Sequence, residues 1–166
     1  RQTYKKVYWD ACMHDGKRVA ALSTPATLAL HYNKRLFAER AEALRAAGLD
    51  PSRPPETLEE LDRYAEALTI KGGDGRLVSA GYLPLEPGWY VTNTPNWFGA
   101  DIYDAKTDRF TFDHPAVLEA YEWIASYSRK LGKSAMADFR SGLGNFDSPQ
   151  NAFLSGTVVM VQQGPW

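Results

Sequence analysis

The apolar run at residues 157–161, with the sequence TVVMV, constrains the fold more than any other segment of this chain. A short continuous apolar run bounded by turn residues predicts a strand buried in the protein interior. Gly156 stands directly before it and is expected to close a short helix that begins at Ser148. The segment therefore predicts a helix that leads into an interior strand.

Further strands are predicted at residues 18–22, 28–32 and 77–83, and a shorter one at 110–112. Between several of these segments, apolar residues recur at spacings of three and four, which predicts amphipathic helices. The predicted helices and strands alternate irregularly. This order favours the α/β class with a small mixed sheet.

Capping residues indicate where several helices begin and end. Asn33 can cap the helix that follows the strand at 28–32, and Gly48 lies just past the last turn of that helix. Thr57 stands three residues before Glu60, a capping-box pattern that makes the clearest helix start in the sequence.

Two other helices have less regular boundaries. The apolar spacing over residues 4–12 predicts a helix that ends at the turn formed by Asp15 and Gly16. A long helix is expected to begin at an Asp113 cap and to end at Gly132.

Composition excludes several kinds of partner and site. The net charge is -1 without blocks of like charge, which argues against nucleic acid and anionic membrane as partners. No apolar run approaches the roughly 20 residues of a membrane-spanning helix. The single cysteine, Cys12, excludes an intrachain disulfide, and the three histidines lack metal-site spacing. We therefore expect neither a metal nor a cofactor.

An aromatic-rich stretch at residues 86–104 has no helical or strand period. It is either a functional loop region or irregular core. Glu86 and Asp101 within it could supply the two carboxylates of a glycoside hydrolase, although any acidic sequence offers such pairs.

Three ordered motifs together resemble the extracellular solute-binding proteins of ABC importers, the family that includes the maltose-binding protein. The first is the segment 153–166, FLSGTVVMVQQGPW, which looks like the family pattern of F-x-x-G, an apolar strand and G-P-W. The second is LHYNKRLF at residues 30–37. The third is AGLDP at 47–51, followed by PETLEEL at 55–61. Leu58 stands where the family commonly has tryptophan.

The resemblance implies one lobe of a periplasmic-binding-protein-like II fold, with a small mixed sheet flanked by helices. Residues 1–166 would form a single domain that is most of the second lobe plus part of the hinge, with the strand at 28–32 crossing between lobes. The whole protein would be an exported, monomeric, periplasmic or lipid-anchored protein whose targeting segment lies outside these residues. It would capture a small solute, expected to be a carbohydrate, and deliver it to a membrane permease without catalysis.

The resemblance also implies ligand-binding residues. Trp166 matches a tryptophan that stacks on sugar, and Glu86 matches a glutamate that accepts hydrogen bonds from sugar hydroxyls. Gly88 separates the Glu86-Pro87 dipeptide from Trp89 and Tyr90, so the ring of either residue could face the ligand. The other two candidates are Trp97 and Asp101.

Three alternatives stay open from the sequence. The ligand could be a solute other than a sugar, because members of the family take different solutes. The chain could belong to a glycoside hydrolase that uses Glu86 and Asp101. It could also be a protein-interaction module that exposes its aromatic residues.

Overall fold

The computed structural model describes residues 5–23, 27–88 and 91–164. The chain divides into two units, which are described separately: Arg1–Ala29 together with Gly164–Trp166, and Leu30–Gln163. Almost all of the regular structure lies in the second unit.

The first unit contains a short helix and a hairpin. Helix α1 spans Lys6–Asp10, and strands β1 (Met13–His14) and β2 (Lys17–Arg18) pair antiparallel. The predicted Asp15-Gly16 turn is confirmed, with φ of 47° and 73°, but it joins these strands instead of ending the helix. Left-handed conformations at both central residues are typical of a two-residue hairpin turn. The predicted strand at 18–22 is wrong beyond Arg18, because residues 19–22 form no regular element.

The second unit is built on a four-stranded mixed sheet, as the sequence predicted. Its strands are β3 (Ala29–Tyr32), β4 (Ile70–Lys71), β5 (Leu77–Tyr82) and β8 (Val158–Gln163), in the spatial order β3-β8-β5-β4. Strands β5 and β8 run parallel, with Ala80 opposite Val158 and Tyr82 opposite Met160. β4 pairs antiparallel with β5 and occupies the edge of the sheet.

The helices of this unit are α2 (Lys34–Glu39), α3 (Ala41–Ala46), α4 (Leu58–Ala67), α5 (Pro115–Leu131) and α6 (Lys133–Ser141). A 3₁₀ segment covers Val91–Phe98, and a small hairpin pairs β6 (Tyr103–Asp104) with β7 (Arg109–Phe110). The single helix predicted after Asn33 is interrupted at Arg40, whose guanidinium donates hydrogen bonds to the Leu68 carbonyl oxygen and to Ser79 Oγ.

Two helix caps follow the sequence prediction. Leu36 N donates to Asn33 Oδ1 at 3.1 Å, and Glu60 N donates to Thr57 Oγ1 at 3.1 Å. The carboxylate of Glu60 accepts from Glu56 N at 2.8 Å, one residue before the cap. Each cap satisfies a backbone donor that the first helical turn leaves unpaired.

One predicted helix cap and one predicted helix are wrong. The long helix α5 is capped by His114, whose Nδ1 accepts from Ala116 N at 3.2 Å, and not by Asp113. Pro115 occupies the first helical position, which places the cap at the residue before it. The short helix expected from Ser148 is a series of turns, in which Asn151 Oδ1 accepts from the backbone of Phe153 at 2.9 Å. Such side-chain bonds compete with helix formation.

Two clusters of buried residues hold the helices against the sheet. The larger cluster joins α2, α3 and α4 to the sheet around Phe37, Leu44, Tyr64, Tyr82 and Met160. The second joins α6 to β5 and β8 through Met136, Ala80, Leu83 and Val158.

Candidate ligand-binding site

The carboxyl ends of the parallel strands β5 and β8 form the edge of the sheet at which a ligand is expected. Ligands of open α/β sheets bind outside the carboxyl ends of the strands. β5 leads into the segment 83–88, and β8 ends at Gln163, so the segment that carries Glu86 begins at this edge. The sequence places Trp166 three residues beyond β8.

Glu86 is held in a tight turn after β5. Its backbone N donates to the Leu83 carbonyl oxygen at 3.0 Å, and Gly88 has a left-handed φ of 86°. The side chain of Glu86 is 19% exposed, and Arg140 Nε lies 3.7 Å from its Oε2. Burial raises the pKa of the Glu86 carboxyl, and the charge of Arg140 partly opposes that rise. Within the described ranges no hydrogen bond reaches the Glu86 carboxylate, so it can accept bonds from a ligand.

Trp97 lies in the 3₁₀ segment and is 40% exposed. Its ring packs against Trp123 of α5, with centroids 6.1 Å apart in a T-shaped arrangement. Trp123 is itself anchored, because its Nε1 donates to Asp62 at 3.0 Å, and Tyr127 Oη donates to the same carboxylate at 2.6 Å. Trp97 is therefore supported on one side and open to solvent on the other, a geometry that suits stacking on a flat ligand.

Asp101 has different neighbours from Glu86. It lines a small pocket of about 210 Å³ together with Asn96 and Tyr103. In the amide orientation that satisfies its neighbours, Asn96 donates to Asp101 Oδ1 at 2.8 Å. The pocket is polar and exposed, and it suits recognition of a hydroxyl group more than general acid catalysis, which needs a carboxyl shielded from water.

Three of the residues expected to bind ligand, Trp89, Tyr90 and Trp166, lie outside the described residues. Their roles stay predictions. Two residues that the sequence did not single out lie near this edge. Arg140 contacts Glu86, and Gln163 is the last residue of β8.

Gln163 is only 7% exposed, and its buried Oε1 has no hydrogen-bond partner within the described residues. A buried acceptor without a partner destabilises a fold by about 1 to 3 kcal/mol. We expect Gln163→Met to raise the unfolding temperature of this chain by a few degrees, measured by thermal denaturation. Gln162→Met, at a half-buried neighbour, serves as the matched control. A Gln163→Met variant that melts lower than the unmodified chain would contradict the prediction.

Among the described residues no group of three or more His, Cys, Asp or Glu side chains is arranged to hold a metal ion. In the same part of the chain, no helix has the length and apolarity needed to cross a membrane.

Curated relatives match most of this chain. The sn-glycerol-3-phosphate-binding periplasmic protein of Pectobacterium atrosepticum is 26% identical over 88% of the chain and 31% of its own length. The Escherichia coli K12 protein of the same name is 26% identical over 90% of the chain and 42% of its own length. The chain thus spans less than half of the curated relatives it matches.

Solved structures are similar over almost the whole chain. CpMnBP1 with mannobiose bound is 28% identical with a TM-score of 0.77, covering 99% of this chain and 40% of that one. A Listeria monocytogenes ABC substrate-binding protein in complex with cycloalternan is 19% identical with a TM-score of 0.67, covering 98% of this chain and 38% of that one, and shows the fold alone.

The family model described as bacterial extracellular solute-binding protein matches residues 2–166. That match covers nearly every residue and agrees with the mixed sheet and with the three ordered motifs. The expected fold, one lobe of a periplasmic-binding-protein-like structure, is confirmed by the similarity to solved binding proteins. The chain belongs to the family of bacterial extracellular solute-binding proteins.

Proposed function

We propose that this chain is most of the second lobe, with part of the hinge, of a protein that captures a sugar or oligosaccharide between two lobes. The single observation that carries the proposal is the Glu86 carboxylate, which is largely buried beyond the carboxyl end of β5 and accepts no hydrogen bond from the described residues. A buried carboxylate with free oxygens is a strong acceptor for hydroxyl donors. Sugars present such donors around their edges.

Aromatic rings supply the second element of sugar recognition. The C–H face of a pyranose needs a flat apolar platform, and full burial of a large aromatic side chain is worth roughly 4 to 6 kcal/mol. One face of a ring against a sugar gives about half of that value, whereas micromolar binding requires about -8 kcal/mol. Several rings must therefore act together, and Trp97 with Trp89, Tyr90 and Trp166 are the candidates.

The names of similar proteins support a carbohydrate as the ligand of this chain. They also leave a second candidate ligand, a polyol phosphate. CpMnBP1 has been solved with mannobiose bound and with mannotriose bound. The curated relatives are named for sn-glycerol 3-phosphate, and the Arg140 guanidinium beside Glu86 could bind a phosphate. The carboxylate of Glu86 would repel the same phosphate, which favours a neutral sugar over a polyol phosphate.

In the cell, the closed protein would deliver its ligand to an ABC permease in the membrane. The family description supports an exported protein that acts outside the cytoplasm. Its monomeric state and its location, in the periplasm or on a lipid anchor, belong to the proposal. Non-covalent capture needs no catalytic residue, metal or cofactor.

A thermal-shift screen of the full-length protein tests the proposal. We expect mannobiose, mannotriose or a maltose oligosaccharide to raise the unfolding temperature, because a ligand that binds only the folded state stabilises it by about 2.7 kcal/mol at a hundred times Kd. Glu86→Gln should reduce that shift, while Glu122→Gln, at an exposed glutamate on α5, should leave it unchanged. Stabilisation by sn-glycerol 3-phosphate alone would replace the sugar with the second candidate.

The glycoside hydrolase alternative is tested with the same protein. Incubation with candidate oligosaccharides and analysis of the products should show unchanged substrate. Released shorter sugars that disappear in Glu86→Gln would contradict passive capture.

A further inference from the structure

Arg140 lies beside Glu86 because helix α6 packs against the sheet. Met136 lies in the buried cluster that also contains Leu83, at the end of β5. Arg140 follows Met136 by four residues, so the two side chains share one face of the helix. The turn bond from Glu86 N to the Leu83 carbonyl oxygen sets Glu86 directly beyond the same cluster. The position of Arg140 beside Glu86 therefore follows from core packing.

The distance between the two charges is the informative feature. Arg140 Nε lies 3.7 Å from Glu86 Oε2, which is longer than a hydrogen bond but close enough for strong attraction between opposite charges. A direct bidentate pair would occupy the carboxylate oxygens and leave little for a ligand. The observed separation keeps a positive charge beside Glu86 while its oxygens stay free.

We propose that Arg140 is a positioning residue whose positive charge, held beside Glu86, keeps that carboxylate ionised for a bound solute without occupying its oxygens. This inference rests on the proposed function of the site. The side chain of Arg140 is 40% exposed, and Arg140 is the charged group that opposes the effect of burial on Glu86. It acts through Glu86 and need not touch the ligand.

The consequence for pH dependence follows from the sign of each effect. Burial raises the pKa of the Glu86 carboxyl, and Arg140 lowers it. If ligand binds the ionised form more tightly, affinity falls as the pH drops through the Glu86 pKa. Removal of Arg140 leaves the effect of burial unopposed, so the loss of affinity must begin at a higher pH.

The test compares five forms of the full-length protein: the unmodified protein and the variants Arg140→Gln, Arg140→Lys, Glu86→Gln and Arg129→Gln. Arg129, which pairs with Glu122 on the surface of α5, is the matched control. Calorimetry with the best ligand of the thermal-shift screen gives Kd between about pH 4 and about pH 8, which spans the titration of a raised carboxyl.

We expect Arg140→Gln to move the midpoint of the pH–affinity curve up by about one pH unit, as for loss of a nearby opposite charge. Arg140→Lys should keep most of the original midpoint because it keeps the charge, and Glu86→Gln should remove the dependence. Arg129→Gln should overlay the unmodified protein. An affinity loss in Arg140→Gln that is uniform across pH, or a midpoint that does not move, overturns the inference.

A second measurement does not depend on ligand. The ¹³C chemical shift of the Glu86 carboxyl reports its titration in the ligand-free protein, and its midpoint should rise by about one pH unit in Arg140→Gln. An unchanged midpoint also overturns the inference. A raised midpoint in a protein that binds no sugar would support the role of Arg140 and refute the proposed ligand, so the two failures are distinguishable.

Discussion

Replacing Gly81 with alanine is expected to destabilise the protein by about 3 kcal/mol or more, at the upper end of what overpacking costs. Gly81 lies in β5, where the sheet meets α4. A Cβ at this position would lie 2.2 Å from the Ala65 carbonyl oxygen and 2.7 Å from Ala65 Cα. Both atoms belong to the backbone of α4, so no side-chain rotation can relieve the contact. The helix would have to move away from the sheet.

Such a movement would also break a hydrogen-bonded link between the two elements. Gly81 N donates to Thr69 Oγ1 at 3.0 Å, and Thr69 Oγ1 donates to the Ala65 carbonyl oxygen at 2.7 Å. Urea denaturation gives the free energy of unfolding of the variant. Gly73→Ala is the matched control, because a Cβ on Gly73 meets nothing within 4 Å. Equal stability of the two variants would show that the approach of α4 to β5 is looser than described.

Replacing Trp166 with alanine in the full-length protein is expected to weaken sugar binding by roughly 30- to 150-fold. One face of a tryptophan ring contributes about 2 to 3 kcal/mol, half of its full burial, and each 1.4 kcal/mol is a factor of ten in Kd. The prediction comes from the match of residues 164–166, GPW, to the family motif, since Trp166 lies outside the described residues.

Calorimetry measures this loss of affinity. Two further variants serve as a control and as a comparison. Phe110→Ala removes a ring that is 67% exposed on β7, at a position with no predicted ligand role, and should leave Kd unchanged. Trp97→Ala should weaken binding if its open face also meets the sugar. Unchanged affinity in Trp166→Ala, with the unfolding temperature preserved, would remove Trp166 from the site.

Local signals in the sequence were sufficient for strands β3, β5 and β8 of the second unit and for two of its helix caps. The run at 157–161 predicted β8 because continuous apolar character is readable without knowledge of its neighbours. Asn33 and Thr57 were predicted as caps because each bonds to a backbone group three residues away. Asp113 failed as a cap because a competing residue, His114, directly precedes Pro115.

Recognition of the family likewise depended on short ordered motifs, and the match over residues 2–166 agrees with it. The resemblance to the family implied Glu86 as a candidate ligand residue but gave no information about its surroundings. Helix α6 was not predicted from the sequence, although it places the guanidinium of Arg140 next to Glu86.

The sequence by itself therefore determined the fold class, the family and the list of candidate ligand residues, because these depend on patterns within short windows. Only the tertiary structure decided which of these candidate residues contact other side chains, and which side chains those are. The pairing of β5 with β8 and the bonds from Trp123 and Tyr127 to Asp62 join segments about 60 to 80 residues apart in the chain. Such contacts form when buried surfaces pack together, and no local period encodes which surfaces will meet.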